Sequence, residues 1–229
     1  MISVVIPTLN EERSLASTLT SLVPAAVEGL VSEVVIVDGG SSDHTLAIAE
    51  ESGAEIVKSA KGRGVQLAEG AKVAKNEWLL FLHADTVLSD GWMREASLFI
   101  DAVNSGERRE GAAAFRFALD DIGMKPRLLE GLVAFRCAFF RLPYGDQGLL
   151  IPKRLYNQVG GYHPVPIMED VDLVRRLGRR RIFPLHTQAV TSAVRFKKDG
   201  YAFRSLRNIL CQVLFSCRVP HDYIARLYG

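Results

Sequence analysis

From Ile2 to Leu82 the chain alternates short apolar runs with segments of helical periodicity, and few architectures accommodate that alternation. Ile2 to Ile6 is a β-branched run closed by Pro7, the pattern of a strand buried on both faces. Asn10-Glu11-Glu12 opens a helix-patterned segment carrying Leu15, Leu19 and Leu22. Val34 to Val37 is a second buried strand, stopped by the turn cluster Asp38-Gly39-Gly40-Ser41-Ser42-Asp43. A helix over Thr45 to Ser52 follows, with Ser42 or Asp43 as its N-cap. Ala54 to Lys58 reads as a third strand, Gly62 to Lys75 as loop and helix, and Trp78 to Leu82 as a fourth strand. Such spacing predicts parallel β-α-β units in one open, twisted sheet flanked by helices, an α/β fold. Ligands of such sheets bind beyond the carboxyl ends of the strands. Three polar clusters fall there: Pro7-Thr8-Leu9-Asn10-Glu11, Asp38-Gly39-Gly40-Ser41 and His83-Ala84-Asp85.

The second half is less regular. Ala112 to Leu119 and Leu149 to Ile151 read as strands; Arg127 to Arg141, Glu169 to Leu177 and Phe203 to Cys217 read as helices; Tyr144 to Gly148 is a turn. The length, 229 residues, fits one α/β domain over 1–198 with a helical extension over 199–229. With 48% apolar residues the chain can build a core, and its net charge of +2 gives no ground for a nucleic-acid partner. Cys137, Cys211 and Cys217 form no C-x-x-C pair, which points to a reducing, cytoplasmic setting. The start, Met1 to Glu12, reads as neither signal peptide nor membrane anchor, and no run has the length of a spanning helix. Basic residues crowd at Arg175, Arg176 and Arg179 to Arg181, then at Arg195, Lys197 and Lys198; this is a solvated helix end or a surface for phosphates or acidic headgroups.

Asp85 follows a buried strand directly, so its carboxylate is held beside the ligand crevice. It is either a cap for the next turn or a ligand for Mg²⁺ or Mn²⁺, ions that take one or two carboxylates plus phosphate oxygens and water. Glu169, Asp170 and Asp172 put three acids in four residues; a helix N-terminus offsets that repulsion, or one of the acids is a general base. In Gly62-Arg63-Gly64 the third glycine of G-x-G-x-x-G is replaced by Leu67, which argues against dinucleotide binding, while Arg63 can reach a phosphate. No P-loop and no G-x-S-x-G elbow is present, and His83, His163, His186 and His221 lack metal-ligand spacing.

Taken in order, these clusters resemble the family 2 glycosyltransferases of the GT-A fold. The matching stretches are Val4 to Glu12, Val35 to Thr45, Phe81 to Thr86, Gly160-Gly161-Tyr162 and Met168 to Leu173, so the resemblance covers roughly residues 1–195. It is strongest to a short, single-domain bacterial subgroup with Leu-His-Ala-Asp-Thr and Gly-Asp-Gln segments. The resemblance implies a mostly parallel central sheet and an inverting, metal-dependent transfer of sugar from a nucleotide-diphosphate donor, commonly UDP-type, to an acceptor hydroxyl. It implies that Pro7, Thr8, Asn10 and Glu11 line the nucleotide pocket, that Asp38 contacts the base, that Arg63 and His83 face the donor, and that Asp85 holds Mn²⁺ or Mg²⁺. Asp170 matches the catalytic base, Glu169 its support, and Gly145, Asp146 and Gln147 the acceptor side.

Two positions depart from the family pattern. His83 replaces the first acid of the D-x-D motif, and Gly39 stands where a second acid often follows Asp38. They keep open a non-catalytic nucleotide-sugar-binding protein on the same fold. A sugar nucleotidyltransferase is the other alternative, although Pro7 to Glu11 stands in place of its glycine-rich loop. Phe203, Leu206, Leu210, Val213, Leu214 and Cys217 recur at helical spacing beside Arg204, Arg207 and Arg218. Residues 200–218 therefore pack on the core, form a homodimer contact, or lie on the inner membrane face, where a lipid rather than a small-molecule acceptor would make sense.

Overall fold

The computed structural model describes residues 1–217 and 219–228. Its first half runs β1 (Ile2–Thr8), α1 (Leu15–Val27), β2 (Val31–Asp38), α2 (Thr45–Glu51), β3 (Glu55–Lys58), α3 (Arg63–Val73) and β4 (Trp78–Phe81). Then come β5 (Thr86–Leu88), α4 (Trp92–Asn104), β6 (Ala112–Leu119), α5 (Met124–Phe140), a 3₁₀ turn (Gly145–Gln147), β7 (Leu149–Pro152) and α6 (Lys153–Gln158). The chain closes with α7 (Glu169–Leu177), a second 3₁₀ turn (Arg179–Arg181), β8 (Ile182–Thr191), α8 (Val194–Asp199), α9 (Tyr201–Ser216) and α10 (His221–Tyr228).

One eight-stranded sheet has the order β3-β2-β1-β4-β7-β6-β8-β5. The strands of the first half pair in parallel, as the β-α-β spacing predicts. The second half is mixed: β7 runs antiparallel to β4 and β6, and β5 antiparallel to β8, while β6 and β8 are parallel. Side chains of β1 alternate between two apolar layers. Ile2, Val4 and Ile6 pack with Leu15 and Leu22 of α1 and with Trp92 and Phe99 of α4. Val5 packs on the other face with Leu67 and Ala71 of α3 and Leu173 of α7.

Pro7 does not end β1, as the sequence suggests; it pairs opposite Val37 of β2. β1 meets β4 only over Ile2 to Val5. Amide direction alternates along β1: the Ile2 N–H reaches Leu30 beside β2, while the Val5 carbonyl accepts the Leu82 N–H beside β4. The missing N–H of Pro7 therefore faces the side that β4 has already left, and costs no ladder bond. β1 and β4 part beyond Val5 and Leu82, and in open α/β sheets the ligand crevice lies at such a point.

Helix α3 lies close to the sheet because Gly70 leaves room: a Cβ there would collide with Val5 and Val37. At its start, a Cβ on Gly64 would strike the His163 carbonyl, so the loop before α7 and the N-terminus of α3 touch. α9 packs on α5, and its Cys211 is buried with Met168 and Val171 against α10's Ile224. Arg218, placed beside this helix by the sequence, lies outside the described residues. Among the described residues no helix is long and apolar enough to cross a membrane.

Candidate functional site

The loops after β1 and β2 are laced together by their own polar groups. Asn10, at φ 57°, accepts the Ser42 N–H at 2.8 Å, and its own N–H reaches Ser41 Oγ at 2.9 Å. The Glu11 N–H goes to Thr45 Oγ1 at 2.8 Å and the Glu12 N–H to Asp43 at 3.1 Å. Asp43 also accepts the Thr45 N–H at 3.0 Å, the local support for α2 that its sequence position suggests, although the N-cap residue itself is His44. Asp38, 2% exposed, accepts the Gly40 and Ser41 N–H groups at 2.9 Å each, together with the Ser41 and Thr8 hydroxyls. Burial acts to raise its pKa, but these hydrogen bonds prevail and hold it below the usual carboxylate range. Its carboxylate is occupied in shaping the loop, so any contact to a base must share those oxygens.

Where the family often carries a second acid, Gly39 stands close under a side chain of α3. A Cβ at Gly39 would lie 3.1 Å from the Gln66 amide nitrogen. Gln66, 4% exposed on α3, donates to the carbonyls of Thr8 at 2.7 Å and Val37 at 2.8 Å, tying the ends of β1 and β2. Sequence reading missed Gln66, because one glutamine inside a helix carries no signal of its own.

Across the crevice, Asp85 is held by its backbone: its carbonyl accepts the Ser192 N–H at 3.1 Å, and the preceding Ala84 carbonyl accepts Thr18 Oγ1 at 2.9 Å. Its carboxylate takes no hydrogen bond from any described residue. Among the described residues no three His, Cys, Asp or Glu side chains converge into a cage. A free, half-buried carboxylate suits a divalent cation that draws its remaining ligands from phosphate and water. Glu11 pairs with Arg195 at 3.4 Å, and burial, opposed by the Ser14 hydroxyl and reinforced by the charge of Asp85, raises its pKa. Arg195, which the sequence offers only as part of a basic run, thus reaches the crevice from α8.

On the acceptor side α7 presents its acids at its N-terminus. Glu169 is 3% exposed and lies 3.4 Å from Arg63 Nη1. Burial, opposed by Arg63 and reinforced by Asp170, pushes its pKa up to about 7. Asp170 accepts the Gly145 N–H at 2.7 Å through Oδ2 and the Val171 N–H at 2.7 Å through Oδ1. Gly145 also sits against His83, whose Nε2 would lie 2.6 Å from a Cβ at that position. His83 Nε2 and Asp146 Oδ1 are buried with no partner among the described residues. Burial, then the charges of Arg63 and Arg195, hold the His83 pKa well below its ordinary value, so the imidazole is neutral. Burial raises Asp146 to about 6, with Arg136 opposing and Asp170 and Asp85 adding to the shift.

Gln147 points inward. Its amide nitrogen donates to the Phe115 carbonyl at 2.9 Å, and its oxygen accepts the Tyr144 N–H at 3.2 Å and Arg136 Nη2 at 3.3 Å. Arg136 also stacks 3.5 Å over the Tyr144 ring. Gln147 therefore anchors the loop on which Gly145 and Asp146 stand.

Arg63 lies near enough to Glu169, Asp170 and Asp85, and Asp146 to Asp170 and Asp85, for their charges to act on one another. Arg63 pairs with Glu169, and His83 stands against Gly145, whose N–H Asp170 accepts.

Residues 3–105 match the family model for glycosyl transferase family 2. The chain is similar to the glucosyl-3-phosphoglycerate synthase of Mycobacterium tuberculosis (strain H37Rv), 34% identical over 95 residues, covering 38% of this chain and 29% of that protein. The match thus spans under a third of the length of that relative. A crystal structure of glucosyl-3-phosphoglycerate synthase from Mycobacterium tuberculosis with Mn²⁺ and uridine-diphosphate-glucose superposes with a TM-score of 0.65 at 22% identity, over 96% of this chain and 80% of that one. Staphylococcus aureus TarS 1-349 gives 0.64 at 18% identity, over 99% of this chain and 70% of that one. The shared fold is the GT-A arrangement, a mostly parallel sheet between helices.

Proposed function

We propose that the protein, whose residues 3–105 match the family model for glycosyl transferase family 2, is an inverting glycosyltransferase that uses a nucleotide-diphosphate sugar. What supports this reading is a pair of carboxylates that share the neighbours Arg63 and Asp146: Asp85, free of hydrogen bonds from described residues, and Asp170, pinned at 2.7 Å by the Gly145 amide. A Mn²⁺ or Mg²⁺ ion held by Asp85 would neutralise charge on the diphosphate as it leaves. Asp170 removes the proton of the acceptor hydroxyl while its oxygen attacks the sugar carbon and the bond to the nucleotide diphosphate breaks. The amide of Gly145 fixes the base oxygen, and buried Glu169 with Arg63 sets the charge beside it. Arg63 and Arg195 add positive charge for the phosphates. His83 puts an imidazole where the family usually has an acid, so the donor diphosphate meets no repelling carboxylate there.

A UDP-type donor is supported by the uridine-diphosphate-glucose bound in the similar crystal structure. The acceptor meets the loop of Gly145 and Asp146, with Gln147 holding that loop from behind. The test is a thermal-shift series of nucleotide diphosphates and nucleotide sugars, with and without Mn²⁺, on wild type and Asp85→Ala. A ligand that binds only the folded state raises its apparent stability. The expected result is a UDP-sugar shift that requires both Mn²⁺ and Asp85. A shift of equal size without either would remove the proposed metal role, and no shift from any nucleotide would remove the donor site.

A further inference from the structure

Helix α5 turns Leu128, Leu132, Phe135 and Phe139 outward at helical spacing, each more than half exposed, with Phe135 and Phe139 in contact at 4.4 Å between ring centroids. Helix α9, packed against it, turns out Phe203, Leu206, Ile209 and Val213, also each more than half exposed. Opposite faces of the same helices are used internally: Val133 of α5 packs under Phe117, and Cys211 of α9 is fully buried. Two neighbouring helices thus each carry a second apolar face that the fold leaves uncovered, which is far more than scattered surface leucines.

The charge around this face is predominantly positive. Arg195 reaches the crevice and Arg136 the Tyr144–Gln147 loop; apart from them, α5, the Arg179–Arg181 turn, α8 and α9 hold nine lysines and arginines and two acids, Glu130 and Asp199, while the whole chain nets only +2. Both acids are already paired, Glu130 with Arg127 and Asp199 with Arg204 and Arg207. Lys125, Lys198, Arg180 and Arg181 have no carboxylate partner among the described residues. The Arg179–Arg181 turn adjoins the end of α5, since Arg179 donates to the Phe139 carbonyl.

We propose that α5 and α9 form a docking face for an anionic lipid bilayer, apolar side chains entering the headgroup boundary and the surrounding cations meeting the lipid charge. Exposed aromatic and leucine side chains beside lysine and arginine are the composition of an interfacial helix, and each basic residue near an anionic surface adds attraction. A second copy of the chain fits less well, because a two-fold contact sets the same patch against itself and so opposes like charge to like. The inference goes beyond the transferase reading and holds whatever sugar chemistry the chain performs.

The test is co-sedimentation of the full chain with phosphatidylcholine vesicles and with phosphatidylcholine–phosphatidylglycerol vesicles, beside light scattering of the lipid-free protein. Two variants are compared, Phe139→Ser with Leu206→Ser, and Arg180→Glu with Lys198→Glu. All four sites lie outside the crevice, so circular dichroism and the nucleotide thermal shift report whether fold and donor site survive. The expected result is sedimentation with anionic vesicles only, weakened by salt, and reduced about tenfold or more by either double variant. Failure of the wild type to sediment, or sedimentation unchanged in both variants, overturns the proposal. A lipid-free dimer that Phe139→Ser with Leu206→Ser dissociates also overturns it, by assigning the face to a second copy. A missing nucleotide shift beside intact vesicle binding would count against the transferase reading alone.

Discussion

Asp170 and Asp146 are neighbours in space with opposite circumstances. Asp170 has each carboxylate oxygen on a backbone amide, whereas Asp146 has one oxygen buried and unpartnered. Asp170→Asn keeps shape and hydrogen-bonding size but cannot accept a proton. Turnover should fall by about 10²–10⁴-fold, the range for losing a positioned base, with nucleotide affinity by titration nearly unchanged. If Asp170→Asn kept most of the turnover, another base would have to be sought. Asp146 gives a pH signature. Its folded pKa of about 6 lies above the ordinary 3.8, so the folded state holds the proton more tightly. Stability then falls as pH rises through that window and stays lost above it. Asp146→Asn should flatten this slope and raise Tm at pH 7 by about 2–4 °C. A steeper slope or a lower Tm at pH 7 would show that the carboxylate is satisfied after all. The types and chain positions of Asp85, Glu169 and Asp170 could be read from the sequence, because each stands at a strand end or helix start. The environments could not: that Gln66 fills the space beside Gly39 depends on an anchor about thirty residues away, and that Asp38 is consumed by its own loop depends on how the backbone of Gly40 and Ser41 turns back toward it.

β8 shows how an element escapes a sequence reading. Pro184 and the polar stretch from His186 to Gln188 interrupt its alternation, and its register against β6 shifts between Ala114 and Arg116. The irregular stretch frees the N–H groups of His186 and Thr187, which Glu95 of α4 accepts at 2.7 and 2.8 Å, along with the Thr187 hydroxyl. Burial raises the Glu95 pKa, but these bonds outweigh it and lower it to about 2. The stabilisation is present above the ordinary value of 4.5 and is lost as pH falls toward 2. Glu95→Ala should cost about 1 kcal/mol in urea unfolding at pH 7, since it removes the acceptor of two backbone donors that water can only partly replace. The deficit relative to wild type should shrink on acidification. β5, three residues long, left no pattern to read at all, whereas β1, β2, β4, β6 and α7 announced themselves by predominantly apolar runs, broken only by single polar residues such as Ser3 and Arg116, or by an acidic start.

At the scale of the whole molecule, the part that matches the family is not the part that closes the site. Residues 3–105 contain Asp85, but the strand after it, β5, pairs only with β8. The Thr191 hydroxyl joins both sides, donating to the Asp146 carbonyl at 3.1 Å and therefore accepting from Thr86 at 2.8 Å. A fragment ending at Ser105 should show no Mn²⁺-dependent binding of UDP or a UDP-sugar by calorimetric titration, although it carries every donor-side motif except Arg195. Binding at wild-type strength would mean that the Asp85 loop holds its shape alone. The pairing also fixes an order of events. Thr86 and Thr191 are separated by 105 positions, and contacts so distant form only after a large loop has closed. During synthesis the first four strands and their helices can assemble while the loop bearing Asp85 still has no edge to rest on. The loop bearing Asp85 therefore gains its support only once Thr191 has been made, and on the proposed reading a chain still lacking β8 has no formed place for the metal and the donor diphosphate.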